Sequence, residues 1–410
     1  MRIKHATLTY VFCQMFLVKS NLNSMKNRFV ILPFYCLLFA CLFACNNSNT
    51  NNASVQSIVF DASEAQDSFD FGAITDTSYQ IIALETSDDF LIGEIEKIEI
   101  KNNKIIIFDK ISRAVFLFNM DGSPHSKIFK PGHGPGEYAE IFAMGANDSV
   151  IVIFDIGSRK LLEYDFNGIF IRESKLREDL WVNDIFFFNE NLYLYADWDE
   201  KEWGNSRLYL IDDIVNQNYN HYLPFDKVPL AIGNMGPSYS LCNNNASLIY
   251  SGCDTVFSIL KDGTVSPSYV FDFKGKRAKY PSGRVELVFQ ENDDDRITNI
   301  EWISETDRYL HANIGGVGDD YQVWYDKHTK THQTYRIAKN SSLANNFIFE
   351  TRLIVNNKII MAQPMLNVFW AGTLPESEYK LKGFYCRLTK IINSSKIEDN
   401  PVVFIFNLKD

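Results

Sequence analysis

The chain has 410 residues, 46% hydrophobic, 14% aromatic and 22% charged, with a net charge of −11. That length holds one large repeat fold or a few domains of roughly 150 residues each, and the charged fraction is too ordinary for a disordered protein. Five basic and no acidic residues precede Cys45, so the remainder carries 35 basic against 51 acidic side chains. That balance of −16 repels phosphate backbones and excludes general nucleic-acid binding.

The first element is an address. Phe29 to Ala44 is sixteen residues without a charge, too short to span a bilayer, and the basic Met25-Lys26-Asn27-Arg28 precedes it. This predicts an export signal over residues 1–45, with Met25 an alternative start. The run Leu42-Phe43-Ala44-Cys45 ends the apolar stretch, and the polar 46–56 behind it, beginning Asn46-Asn47-Ser48, reads as a solvated tether.

Residues 57–410 carry a repeat. Lys104-Ile-Ile-Ile-Phe-Asp109-Lys-Ile-Ser-Arg113 and Val150-Ile-Val-Ile-Phe-Asp155-Ile-Gly-Ser-Arg159 match, and Asp109 and Asp155 lie 46 residues apart, as do Gly122 and Gly168. The short β-branched runs are strands, the Asp-x-x-Ser-Arg segments are reversals, and Asp121-Gly122 and Asn167-Gly168 supply the positive φ of hairpins. A period of 46 fits a four-stranded propeller blade. Weaker copies follow, with third, fourth and fifth blades predicted from Val182, Tyr239 and Ile297. A sixth begins with Phe347–Ile354 and Lys358–Ala362, and Val403–Leu408 and Tyr79–Leu84 from the two chain ends complete it. The prediction is therefore all-β: a six-bladed β-propeller of four-stranded antiparallel blades, closed by pairing of its terminal strands. Glu376 to Ser395 has apolar residues at helical spacing and predicts one helix inserted in the last blade.

Phe108-Asp109, Arg113, Asp121-Gly122 and Gly132-His-Gly-Pro-Gly136-Glu-Tyr138 together resemble an NHL repeat. With Leu42 to Cys45, which resembles a bacterial lipobox, the whole chain resembles the six-bladed β-propeller lipoproteins of Bacteroidetes. The resemblance implies lipid attachment at Cys45 and a membrane contact through that lipid. It also implies an outer-membrane location, which we expect to face the periplasm, and a non-catalytic propeller that binds a protein, peptide or glycan. An alternative is a propeller enzyme, a lyase or glycan hydrolase, working at the mouth of the central tunnel.

Chemistry is harder to read. The glycines 132, 134 and 136 precede a strand rather than a helix, which suits a crossover and not a phosphate loop. His328 and His332 flank a predicted turn, and His133 and His311 are the histidines placed to approach an opening, but no ring of three ligands is evident. We expect no cofactor, no metal and no catalytic constellation. Arg113 and Arg159 are expected to pair with their blade's Asp or with a neighbouring blade, and Cys242 and Cys253 sit close enough in sequence for a disulfide to be considered. Aromatics are in excess, and Trp198, Trp203 and Trp370 fall in long connections, where they are the candidate ligand contacts.

Overall fold

The computed structural model describes residues 55–410 except 68–70, 179, 181, 197–205, 217, 225–237, 278–295, 338–352, 375, 377–380, 382 and 410. The sheets are six, arranged as successive blades of a six-bladed β-propeller. Blade one is built from Ile95–Lys101, Lys104–Asp109, Ala114–Asn119 and Pro124–Ile128. Its two middle strands are apolar on both faces because each face meets another blade. Blades two to five begin with Ile141–Ala146, Asp184–Phe188, Tyr239–Leu241 and Ile297–Glu305. Blade six has Leu353–Val355, Lys358–Gln363 and Val402–Leu408, and Thr75–Ala83 pairs antiparallel to the last of these as its fourth strand. Six hydrophobic clusters fill the spaces between neighbouring blades.

The ring closure is locked by Asn400, which is 2% exposed. Its side chain accepts from the Ile92 N–H at 2.8 Å and donates to Glu85 O at 2.8 Å and Phe90 O at 2.7 Å. One amide thereby holds the chain's end to the crossover that opens blade one.

Two features differ from the sequence-based expectation. Blade four has a fifth strand, Gln56–Val59, which pairs parallel with the outer strand Val265–Asp272. Beyond it Gln66 bridges Tyr335 on the outer strand of blade five, so the N-terminal segment straps blades four and five before it enters blade six. Phe60 anchors this strap, with its ring edge-on to Phe273 at 5.6 Å and to Tyr321 at 5.3 Å. The insertion in blade six, in turn, holds two helices, α1 (Met365–Ala371) and α2 (Phe384–Ser394), rather than one. Phe384, Leu388, Met365 and Val368 are buried against the blade five–six core. No helix among the described residues is long and apolar enough to cross a membrane.

The repeated aspartates work as tie points. Asp109 is fully buried and accepts from the N–H groups of Gly93 (3.1 Å), Glu94 (2.6 Å) and Ser112 (2.9 Å). Asp155 does the same for Ala139, Glu140 and Gly157. Each caps its reversal and also ties the incoming crossover to the blade.

Candidate functional site

Strand direction gives the ring two unlike faces. First-to-second and third-to-fourth strand turns lie on one face, and second-to-third reversals and crossovers between blades lie on the other. On the short-turn face Asn102-Asn103, Asn189-Glu190 and Asn356-Asn357 all have positive φ, as two-residue hairpins of type I′ require. These turns are bonded from blade to blade. The Asn102 N–H donates to Asp148 (2.8 Å), the Asn147 amide to Glu190 (3.0 Å), and the Asn189 amide to Lys261 O (3.1 Å). The belt continues as the Asn243 amide donates to Asp307 (2.9 Å) and the Asp307 N–H to Asn357 (3.1 Å). This face is knitted together by its own polar groups. The opposite face receives α1 and α2, and residues 197–205, 225–237, 278–295 and 338–352 connect strands that end there.

Two ionic clusters lie inside the ring. Lys97, on the inner strand of blade one, donates to Met144 O (2.6 Å), Asp184 Oδ1 (2.8 Å) and Ile185 O (2.7 Å). Glu99 lies 3.5 Å away, and the ammonium sits 5.2 Å from the Tyr239 ring centroid. All three donors of the ammonium are used. Burial pulls its pKa down, but Asp184, Tyr239 and Glu99 outweigh that and hold it above the usual lysine value. Glu99 is pushed up by burial, which Lys97 and Lys101 only partly offset. Close by, a Cβ at Gly145 would meet Ile185 O at 2.8 Å, so the inner strands of blades two and three touch. This cluster pins blades one to four together.

The second cluster joins blades four and five. The Glu305 carboxylate is 3% exposed and accepts from Lys327 (2.9 Å), Asn245 (3.0 Å), Tyr269 (3.3 Å) and Ser247. Cys242 beside it donates to Asp307 at 3.3 Å, and burial, then Asp307, pushes its thiol up to about 11. Both effects work against the thiolate form of Cys242.

The rim of the channel on the long-connection face is built differently. The inner strands of blades one, two and five each begin with an isoleucine, after which pairing slips between Ile95 and Lys97, Ile141 and Ala143, and Ile297 and Asn299. Each slip leaves one residue outside the ladder: Glu96, Phe142 and Thr298. Glu96 and Phe142 are 46 residues apart, the period of the repeat. A second slip between Ile300 and Trp302 does the same for Glu301. β-Bulges of this kind re-aim a side chain. Phe142 is 38% exposed and its ring is braced edge-on by Phe154 at 6.3 Å. Glu96 is exposed and pairs with the exposed Lys110 at 3.3 Å. Glu301 is half-buried, its Oε2 accepts from the Asn313 amide at 2.5 Å, and Gly315 leaves room for its Oε1, which a Cβ there would meet at 2.8 Å. None of these four was singled out in the sequence. The one trace of them there is an Ile-x pair at the start of the inner strand, repeated at the 46-residue period.

The expected site residues fare unevenly. Cys45, Trp198 and Trp203 lie outside the described residues. Trp370 is half-buried on α1, on the long-connection face. His311 faces no opening: it is 1% exposed, stacked on Trp324 at 4.1 Å and edge-on to Trp302 at 4.8 Å. The reason is its place on a second strand, whose side chains meet the next blade rather than the channel. Burial lowers its pKa to about 3. His133 is exposed in the crossover. The glycines 132–136 form that crossover, and the Gly134 N–H donates to the loop's own Glu137 carboxylate at 2.8 Å. Arg159 donates to the carbonyls of Arg177 (3.0 Å) and Leu180 (2.6 Å) on the crossover toward blade three. Cys242 and Cys253 are free thiols. Among the described residues no group of three or more His, Cys, Asp or Glu is arranged to hold a metal.

Fold and rim define a propeller with one knitted face and one face of long connections. The chain belongs to the family described as a domain of unknown function, DUF4934, whose model matches residues 56–407. A search of curated proteins gives no match. Among solved structures, a Bacteroides fragilis protein inferred to be exported is similar at a TM-score of 0.65 with 18% identity, over 87% of this chain and 100% of that one. A DUF4221 member from Bacteroides vulgatus shows 9% identity and a TM-score of 0.44, over 82% and 97%. Virginiamycin B lyase from Staphylococcus aureus shows 14% identity and a TM-score of 0.39, over 70% and 80%. What the Bacteroides fragilis protein shares with the chain is the fold.

Proposed function

We propose that this chain is an exported, lipid-anchored envelope protein whose propeller binds a protein, peptide or glycan on its long-connection face, without catalysis. Lipid on Cys45 tethers it to the outer membrane, and the body faces the periplasm. The observation that carries this reading is the contrast between the faces. Rigid scaffolds place recognition on long loops, while short bonded turns serve the scaffold itself. The resemblance of Leu42 to Cys45 to a lipobox supports the anchor, and two acyl chains on one Cys are enough for stable attachment.

A photo-crosslinking amino acid placed at Ile111, exposed on the long-connection face, and at Asn103, exposed on the short-turn face, tests the binding reading in living cells. We expect a discrete adduct from position 111 and none from 103. Adducts from 103 alone would reverse the assignment of faces. Mass spectrometry of the N-terminal peptide tests the anchor separately: the expected result is an acylated Cys45, lost in Cys45→Ala.

A further inference from the structure

We infer that the ring docks on its side against an anionic lipid surface, through the outer edge of blades four to six, with α2 as the cationic contact. This rests on the lipid anchor proposed above and adds an orientation to it. The first support is the path of the chain. Gln56–Val59 lies against the outer strand of blade four, Gln66 bridges the outer strand of blade five, and Thr75–Ala83 is the outer strand of blade six. α2 packs on that last strand: Phe384 is edge-on to Tyr79 at 5.3 Å, and the Arg387 guanidinium lies 5.2 Å from the Tyr79 ring centroid. The start of the strap and α2 therefore share one side of the perimeter. Ten residues lead from Cys45 to Val55, and ten residues span at most about 35 Å. Acylation of Cys45 thus keeps this edge within reach of the membrane, where a high effective concentration makes even a weak contact count.

The second support is charge. Residues 379–397 hold five basic side chains and no acidic one, in a body with 35 basic against 51 acidic. One side of α2 is closed by the buried Phe384 and Leu388, while Arg387 and Lys390, both exposed, lie three residues apart on the other. Lys396, also exposed, follows just beyond the helix. Elsewhere cations are matched inside the protein, as Lys160 is by Glu173, Arg308 by Asp326 and Lys327 by Glu305. Arg387, Lys390 and Lys396 have no carboxylate partner among the described residues. Asp399, close in sequence, accepts from the Lys396 backbone N–H at 2.8 Å. On the strap, Asp61 is held by Lys274 at 2.9 Å and Asp67 by Arg336 at 3.6 Å, which leaves Glu64 as its one exposed carboxylate without a cation. Apolar side chains are exposed on the same elements: Val55 and Val59 on the strap, Leu366 on α1 and Ile397 after α2. A helix already held folded by the blade, with a cationic face and exposed apolar residues near it, suits a layer of anionic headgroups. In this pose the ring stands on edge, and its long-connection face stays open to a partner.

The test uses the full chain as cells process it, reconstituted with vesicles of phosphatidylcholine alone or mixed with phosphatidylglycerol. A fluorophore on the exposed thiol of Cys386, on α2, is read against a quencher attached to the lipid headgroups, with Cys253→Ser as background. Ile111→Cys, in a chain that also carries Cys386→Ser, places the same label on blade one, across the ring from blade four. We expect quenching from position 386 in the anionic vesicles only, and none from position 111 in either. Salt should release it. Arg387→Gln combined with Lys390→Gln should lower the ratio of docked to undocked chains about tenfold or more, since one basic residue at an anionic surface is worth roughly fivefold. A thermal melt checks that this variant folds like the parent. Position 386 unquenched in anionic vesicles, quenched equally in neutral ones, or unmoved by the double substitution would each overturn the inference. Flotation of the same vesicles separates it from the anchor. A chain that floats without quenching keeps the anchor and loses the docking, and one that does neither loses both. A photo-crosslinking amino acid at position 386 that captured a protein in place of lipid in cells would also defeat it.

Discussion

The two faces of this ring are made of the same strands and have little else in common. On the short-turn face each connection is a tight hairpin with a defined backbone, and Asn102, Asn147, Asn189, Asn243 and Asp307 bond from one blade to the next. On the other face the chain invests its length: two helices, long crossovers, and inner strands that slip to expel Glu96, Phe142, Thr298 and Glu301. The contrast shows how a closed repeat separates duties. Polar groups bonded from blade to blade fix the geometry of the ring, while long connections vary without disturbing it.

If that division is right, the largest losses of stability should come from the internal pins and not from the open rim. Lys97→Met removes a cation whose three hydrogen bonds join blades one, two and three and strands the charges of Glu99 and Asp184. Breaking one side of such an internal pair costs about 3–5 kcal/mol, so the denaturant midpoint should drop well below the parent's. Phe60→Ala tests the strap. Phe60 is 2% exposed and its loss opens a void between Phe273 and Tyr321. Phe-to-Ala changes in cores cost about 3–5 kcal/mol, and we expect the lower end because the site lies at the edge of the sheet. A parent-like melting curve in either variant would remove that element from the set that holds the ring.

Much of this architecture is legible in the residues, for a physical reason. Strands buried on both faces must be continuous apolar runs, so IIIF and IVIF announce themselves, and a 46-residue period multiplies the signal. The strap was lost because Gln56-Ser-Ile-Val59 alternates over only four residues behind a polar tether, too short a pattern to outweigh its neighbours. Helix α1 was lost because Met365–Ala371 is seven residues, mostly apolar, that read equally well as the end of a strand. The rim was illegible for a deeper reason. A bulge is a property of pairing between two strands, and no residue of Ile95-Glu96-Lys97 encodes it alone. Loop length points to aromatics for binding but does not say which side chains a blade covers, and Trp370 is half-buried.

Acid provides an intermediate test. His311 lies between Trp302 and Trp324 with the Gln322 side chain beside it, and burial holds its pKa at about 3 against an unperturbed value near 6.5. Between those values the unfolded chain takes up a proton that the folded chain refuses. Stability should therefore be unaffected by His311 above about pH 6.5 and decline as pH falls below it, by at most about 1.4 kcal/mol per pH unit. Urea midpoints from pH 7.5 to 4.5 should show a shallower slope in His311→Gln than in the parent. Equal slopes would mean that the imidazole is protonated in the fold. A smaller loss, about 1 kcal/mol, is expected for Asp307→Ala, which removes the acceptor of Cys242 and Asn243 on the knitted face while leaving the neighbouring Glu305–Lys327 pair intact.

The smallest expected effect is the most discriminating between the faces. Ile111 is 68% exposed, at a turn where the matching repeat position in blade two is Gly157. The turn itself therefore does not need isoleucine. Space is shared reciprocally: Gly93 leaves room for Ile111, and Gly157 leaves room for Ala139. Ile111→Ala should thus change the melting midpoint by less than the equivalent of about 0.5 kcal/mol, as surface substitutions away from structural features do. Set beside Asp307→Ala, this compares an exposed position on each face. If Ile111→Ala proved as costly as Asp307→Ala, the long-connection face would be holding the ring as well, and the separation between scaffold and reading surface would fail.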